Sequence, residues 1–320
     1  AIINWVNQRY DLIVTKEVIN FVPGNVPGIG MAMNCFTQKG DKVMIQPPVY
    51  HPFAWVTTRN ERTLVTNPLK WENGMYRMDL DTFREQIKGC KLFILCNPHN
   101  PGGVVWTEAE LRAIADICYD EKVLVFSDEI HADLTLPPHT HRPFATVSEK
   151  ARMNSVTFMS PSKAFNMPGL SASHALIFNE DLRKRFRIYM DAGELDMGHV
   201  FAFLSVEAAY SHGTEWLDQC LAYIQGNIDF VDDFLKNHAP KIKAIRPEAS
   251  YLVWLDCREL KLSQKDLNEF FVDKAHLALN DGEMFGKEGI GFMRLNVASP
   301  RCIIEKAMKQ LADAYQLYIK

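Results

Sequence analysis

The feature that most restricts how this chain folds is a series of short runs, each apolar along its whole length, with helical patterns between them. Lys42–Gln46, Arg62–Thr66, Lys91–Cys96, Val123–Ser127, Ser155–Met159 and His174–Phe178 are such runs, each bounded by turn residues. A strand without polar alternation has no face to offer water, so it must be covered on both sides. The intervening segments are built as helices. Asp79 is placed to cap a segment with Leu80, Phe83 and Ile87 on one face. Thr107-Glu108-Ala109-Glu110 has the spacing of a capping box ahead of Leu111, Ile114, Ala115 and Cys118. Strands alternating with helices imply a mostly parallel sheet, of about seven strands, in a three-layer α/β/α domain.

The texture changes after about residue 212. Thr214 to His238 reads as one long helix with Leu217, Leu221, Ile224, Ile228, Val231 and Leu235 on its stripe. A strand at Tyr251–Leu255, a helix at Gln264–Ala275, a strand at Gly291–Val297 and a helix at Ile303–Tyr318 follow. The expected division is a large domain over 1–212 and a smaller α+β domain over 213–320. At the front, residues 1–10 read as the end of a helix, and residues 21–30 as a Gly/Pro-rich loop leading into a helix from Met31 to Phe36.

Charge and composition exclude several partners. The net charge is −4 with no basic block, which argues against nucleic acid. The longest apolar runs fall far short of the roughly 18–20 residues of a membrane span. Ala1-Ile2-Ile3-Asn4-Trp5 lacks the basic start of a signal peptide. Seven cysteines, odd in number, scattered and without a CxxC, are usage expected of a reduced, cytoplasmic protein.

In a parallel sheet the carboxyl ends of the strands open on one edge, where ligands bind. Three such ends carry polar groups: Asn97-Pro98-His99-Asn100-Pro101-Gly102-Gly103, Ser127-Asp128-Glu129-Ile130-His131, and Ser160-Pro161-Ser162-Lys163. An amide (Asn100), a carboxylate (Asp128) and an amine (Lys163) around one pocket are what pyridoxal 5'-phosphate requires. The amine links to the cofactor's aldehyde, the carboxylate keeps its pyridine nitrogen protonated, and the amide donates to its ring oxygen. Backbone N–H groups in Gly24-Asn25-Val26 and the Ser160 and Ser162 hydroxyls suit a phosphate. Tyr50, just past a strand, is placed to stack on a ring.

These motifs carry a family resemblance. With Pro48-Val49-Tyr50-His51-Pro52-Phe53, Asn166, Gly169-Leu170 and Arg294-Leu295-Asn296, they stand in the order found in fold type I, pyridoxal-phosphate-dependent enzymes of the class I/II aminotransferase superfamily. Within it the chain most resembles the cystathionine β-lyase-like (C–S lyase) branch. The resemblance implies that Lys163 is the cofactor-linked lysine and the acid/base at the substrate's α-carbon. It makes Asp128 the pyridine-nitrogen partner, Asn100 the ring-oxygen donor, and His131 a stand-in for a tyrosine that serves the same oxygen. Tyr50 becomes the stacking ring and Arg294 the clamp on the substrate carboxylate. It also implies a homodimer with shared sites, and an N-terminal arm that this chain is expected to lack.

Four departures from the branch stand out: Asn25 for an apolar residue, Val104 for a basic one, Ala164 for threonine and Pro168 for a small residue. Asp128, Glu129 and His131 with His139 and His141 fit no ordinary metal-ligand spacing, so no metal is expected. The leading expectation is cleavage of cystathionine or S-substituted cysteines to pyruvate, ammonia and a thiol. Transfer of the amino group to a 2-oxo acid is the alternative, and a cofactor-binding sensor without turnover is the reading from another class.

Overall fold

A computed structural model describes residues 1–318. Thirteen strands in chain order are β1 (Ile19–Val22), β2 (Lys42–Ile45), β3 (Thr63–Thr66), β4 (Lys70–Glu72), β5 (Met75–Arg77), β6 (Cys90–Cys96), β7 (Leu124–Asp128), β8 (Ser155–Met159), β9 (Ser173–Leu176), β10 (Lys243–Ile245), β11 (Leu252–Asp256), β12 (Asn280–Asp281) and β13 (Phe292–Asn296). Seven of them form one sheet in the order β1-β9-β8-β7-β6-β2-β3. The pairs from β3 through β2, β6 and β7 to β8 are parallel, while β9 runs antiparallel to both β8 and β1.

The period-2 geometry of a strand sorts its apolar residues to two faces. Leu92, Ile94, Phe126, Val156 and Phe158 pack on one side with Phe186 and Met190 of the helix Glu180–Ala192. Phe93, Leu95 and Val125 pack on the other with Leu111, Ile114 and Cys118 of the helix Glu108–Asp120. Each fully buried aromatic or aliphatic side chain stabilises the fold by about 1.5–3 kcal/mol, and both layers are built from many of them. The capping box is formed: Glu110 N–H donates to Thr107 Oγ1 at 3.2 Å, and Thr107 N–H donates to Glu110 Oε2 at 2.8 Å. Asp79 accepts from Thr82 N–H at 3.3 Å, as its position requires.

A second, antiparallel sheet, β10-β11-β13-β12, lies in the C-terminal third. Its core joins the helix Thr214–His238, the helix Arg301–Tyr318 and the first helix, Ile2–Tyr10. Trp5 Nε1 donates to Asp133 Oδ1 at 2.9 Å and the Tyr10 hydroxyl donates to the same oxygen, tying the first helix to the turn after β7.

The stretch from residue 21 to 36 differs from the sequence reading. The helix expected from Met31 begins at Asn25, because Pro27 falls in its first turn, where a missing N–H removes no hydrogen bond. The loop expected over 21–30 therefore holds the end of β1 and this helix start. Gly28 is what lets the helix lie so close to the sheet: a Cβ there would sit 2.8 Å from Val22 Cγ2 and 3.2 Å from Phe158 Cε1.

Candidate active site

The carboxyl ends of four parallel strands meet at one cavity of about 410 Å³. Tyr50 follows β2, Asn100 follows β6, Asp128 ends β7 with His131 beyond it, and Ser162 and Lys163 follow β8. Gly24, Asn25 and Val26 close one wall from the helix Asn25–Phe36, and Arg294 reaches in from β13 of the second sheet. Of the residues singled out in the sequence, all but Ser160 line this cavity. Ser160 is buried beside it: its hydroxyl donates to Ala172 O at 2.6 Å and its oxygen accepts Ser162 N–H at 3.0 Å.

Lys163 has no hydrogen-bond or ion-pair partner among the described residues. Burial, and then the nearby Arg294 charge, hold its amine below the ordinary lysine pKa, with Asp128 opposing. Desolvation penalises the ammonium form, so more of the amine is available as a nucleophile or base. The same two cations, after burial, push His131 down to about 3, so its imidazole stays neutral. His131 Nδ1 is buried without a partner.

Asp128 is buried, and burial raises its carboxyl to about 6 against the pull of hydrogen bonds from Asn25 and Ile130. Both of those donors go to Oδ1: Asn25 Nδ2 at 2.6 Å and Ile130 N–H at 3.2 Å. Oδ2 accepts no hydrogen bond from the described residues. On the other side, Asn100 Oδ1 accepts from Arg294 Nη1 at 2.9 Å, which turns the amide's donor end away from the arginine. Arg294 Nη2 donates to Asn280 Oδ1 at 2.7 Å, and its guanidinium lies 4.6 Å from the centre of the Phe285 ring. Its Nε is buried and unpartnered, and burial lowers its pKa to about 10. Among the described residues no carboxylate pairs with it. A partly buried cation without a counterion is a site waiting for an anion.

This set of groups fits pyridoxal phosphate. A free amine, the oxygen of Asp128 that has no donor, an amide donor end and a ring from Tyr50 are arranged around one space. The backbone N–H groups of Asn25 and Val26 are the unpaired first-turn donors of a 12-residue helix, and Ser162 stands beside them.

The sequence reading missed Tyr251, Ser171 and Ser173, which also line the cavity beside Asn296 of the Arg294-Leu295-Asn296 motif, and Asn280, which holds Arg294. Only Ser171 and Ser173, close behind Lys163, carried a sequence signal. His141 lies in the loop after Pro137-Pro138, buried, and bonds to Glu129 Oε2 at 2.7 Å.

Known proteins resemble this chain along nearly its whole length. The family described as aminotransferase class I and II matches residues 1–311. A protein named cystathionine beta-lyase PatB, from Bacillus subtilis, is 38% identical over 316 residues, covering 98% of this chain and 82% of that protein. Cystalysin from Treponema denticola, whose crystal structure contains pyridoxal 5'-phosphate, superposes with a TM-score of 0.96 at 34% identity, over 98% of this chain and 80% of that one. The pyridoxal-phosphate-bound C–S lyase from Staphylococcus hominis superposes with a TM-score of 0.92 at 32% identity, over 100% and 83%.

Proposed function

The chain belongs to the aminotransferase class I and II family, and from that premise we propose that it is a pyridoxal-phosphate-dependent C–S lyase. It acts on cystathionine or S-substituted cysteines and releases pyruvate, ammonia and a thiol. The observation that carries this reading is the meeting, in one cavity, of a Lys163 amine without a partner and an Arg294 guanidinium that no carboxylate among the described residues neutralises. The lyase chemistry, as against amino-group transfer, is supported by the names of the similar proteins.

When bound, pyridoxal phosphate supplies an aldehyde that takes up the substrate's amino group and a ring that accepts electrons from its α-carbon. The protein's part is to bind, orient and move protons. The Arg294 fork takes the substrate carboxylate and thereby fixes the α-carbon. Lys163 Nζ, its pKa lowered by burial, removes the proton from that carbon. Loss of the proton lets the Cβ–S bond break with the thiolate as leaving group. With the cofactor bound, Asp128 Oδ2 would hold the proton on the pyridine nitrogen, Asn100 Nδ2 and His131 would serve the ring oxygen, and Tyr50 would stack on the ring. The Asn25 and Val26 N–H groups, with Gly24 and Ser162, would hold the phosphate.

Residues 1–212 and 213–320 act as two units, with Arg294 from the second completing the site of the first. The working form is a homodimer. Val200, Phe201 and Leu204 are 62, 66 and 54% exposed on the helix Val200–His212, an apolar face that a second copy would cover. All seven cysteines are unpaired, as suits the cytoplasm, and no helix of the described residues is long and apolar enough to cross a membrane.

The test is to incubate the cofactor-loaded protein with cystathionine and with an S-alkyl cysteine. Pyruvate and free thiol in equal amounts support the lyase. Amino-group transfer to a 2-oxo acid without pyruvate establishes the aminotransferase instead, and no turnover on any amino acid leaves the sensor.

A further inference from the structure

We infer that Asn25 is a positioning residue for Asp128: its amide fixes one carboxylate oxygen and leaves the other, ionised, aimed into the cavity. The inference rests on the cofactor reading above and adds to it a residue that the family resemblance would fill with an apolar side chain.

The geometry starts at the helix entrance. Gly24 holds φ at +120°, a value closed to ordinary side chains, and turns the chain so that Asn25 opens the helix. Gly28, one turn on, carries no Cβ to hold the helix off Val22 and Phe158. This approach lays Asn25, 3% exposed, across the ends of β7 and β8. Its Nδ2 donates to Asp128 Oδ1 at 2.6 Å and lies 3.2 Å from Phe158 O. Two acceptors on one side define which end of the amide is the donor, so the Asn25 side chain has a single competent orientation. Its own Oδ1 is buried with no partner, a cost accepted only where the donor end is held firmly.

An apolar residue in this place would supply no donor. Asp128 would then keep the Ile130 N–H as its single bond and could rotate to present either oxygen. A buried carboxylate stripped of a hydrogen bond also takes up a proton more readily. The charged and titratable groups around it are Glu129 beside it, Lys163 from the end of β8, and Tyr50 and Cys96 from the ends of β2 and β6. Lys163 alone among them favours the ionised form, so the Asn25 amide is the main neutral group that does so from the helix side. An ionised Oδ2 is what a protonated pyridine nitrogen needs opposite it. Asn25 therefore acts on the ring through Asp128, without touching it.

The experiment has two arms. In the full chain without cofactor, labelled with 13C at aspartate carboxyls, the Asp128 resonance is identified by its loss in Asp128→Asn and titrated. Asn25→Leu, equal in size but without a donor, should raise its midpoint by about one pH unit. Asn25→Ala, which only removes atoms, carries the same expectation should the leucine not fold. In the holoenzyme reconstituted with 15N-labelled pyridoxal phosphate, the same variants should shift the pyridine nitrogen resonance toward its unprotonated value at neutral pH. An unchanged carboxyl midpoint in both variants overturns the inference. Failure of the parent protein to take up cofactor overturns the functional reading instead, and the carboxyl titration still decides the role of Asn25.

Discussion

Arg294 Nη1 donates to Asn100 Oδ1 at 2.9 Å, joining the second sheet to the loop that follows β6. One bond sets two things. The amide of Asn100 is oriented with its donor end away from the arginine, and the guanidinium is held 4.6 Å from the centre of the Phe285 ring with Asn280 at its other end. The fork is thus fixed before any ligand arrives, and what it lacks is a negative charge.

Arg294→Lys should lower kcat/KM by about 10–100-fold, the worth of one or two charge-assisted hydrogen bonds. Most of the loss should fall on KM. Arg294→Met should abolish the response to substrate yet leave the thermal midpoint of the unliganded protein unchanged or higher, because it removes a partly desolvated cation that no carboxylate among the described residues neutralises. A clear drop in that midpoint would show that the arginine is there for stability. Thermal scans with and without substrate, beside steady-state kinetics, separate the two.

Lys163→Arg keeps a positive charge in the cavity but removes the amine. Its kcat should fall by at least about 10²–10⁴-fold, the usual share of a general acid/base. Borohydride reduction followed by peptide mapping should place the cofactor on Lys163 in the parent and nowhere in the variant. A label on another lysine would disprove the assignment.

The parallel strands were legible because burial on both faces leaves an unbroken apolar run, as in β6 and β8. The four-residue β1 was not, since Ile19–Val22 runs straight into Pro23-Gly24 and looks like loop. The hairpin β4–β5 was missed despite a usable signal. Asn73-Gly74 sits between its strands with φ of 50° and 80°, the sequence of a tight hairpin turn. The site divides the same way. Asn100, Asp128 and Lys163 could be brought together from chain order alone, because parallel strands end on one edge. Tyr251 and Asn280 could not, because their places depend on how the second sheet docks against the first. That docking is long-range packing, which leaves no local pattern.

Phe201→Asp combined with Leu204→Asp places two charges on the exposed apolar face of the helix Val200–His212. Neither residue is in the cavity or in a buried core. Sedimentation should give a dimer for the parent and a monomer for the double variant, with far-ultraviolet circular dichroism unchanged. A parent that sediments as a monomer, or a double variant that stays dimeric, removes this face from the interface.

His174 in β9 supplies a prediction about acid sensitivity. It is buried, neither ring nitrogen has a partner, and burial lowers its pKa to about 4. In the unfolded chain an exposed histidine titrates at about 6.5. Above that pH both states are neutral and the residue contributes nothing to pH dependence. As pH falls from about 6.5 toward 4, the unfolded chain takes up a proton that the folded one refuses, so stability is lost at about 1.4 kcal/mol per pH unit. At pH 5 that is about 2 kcal/mol. His99, lowered to about 4, and His131, lowered to about 3, act in the same sense, but His174 stands outside the cavity and can be changed without touching the chemistry. Urea unfolding of His174→Leu should therefore lose about 2 kcal/mol less than the parent between pH 7 and pH 5. Equal losses in the two proteins would mean that His174 takes up its proton in the folded state, and that the burial around it does not exclude charge.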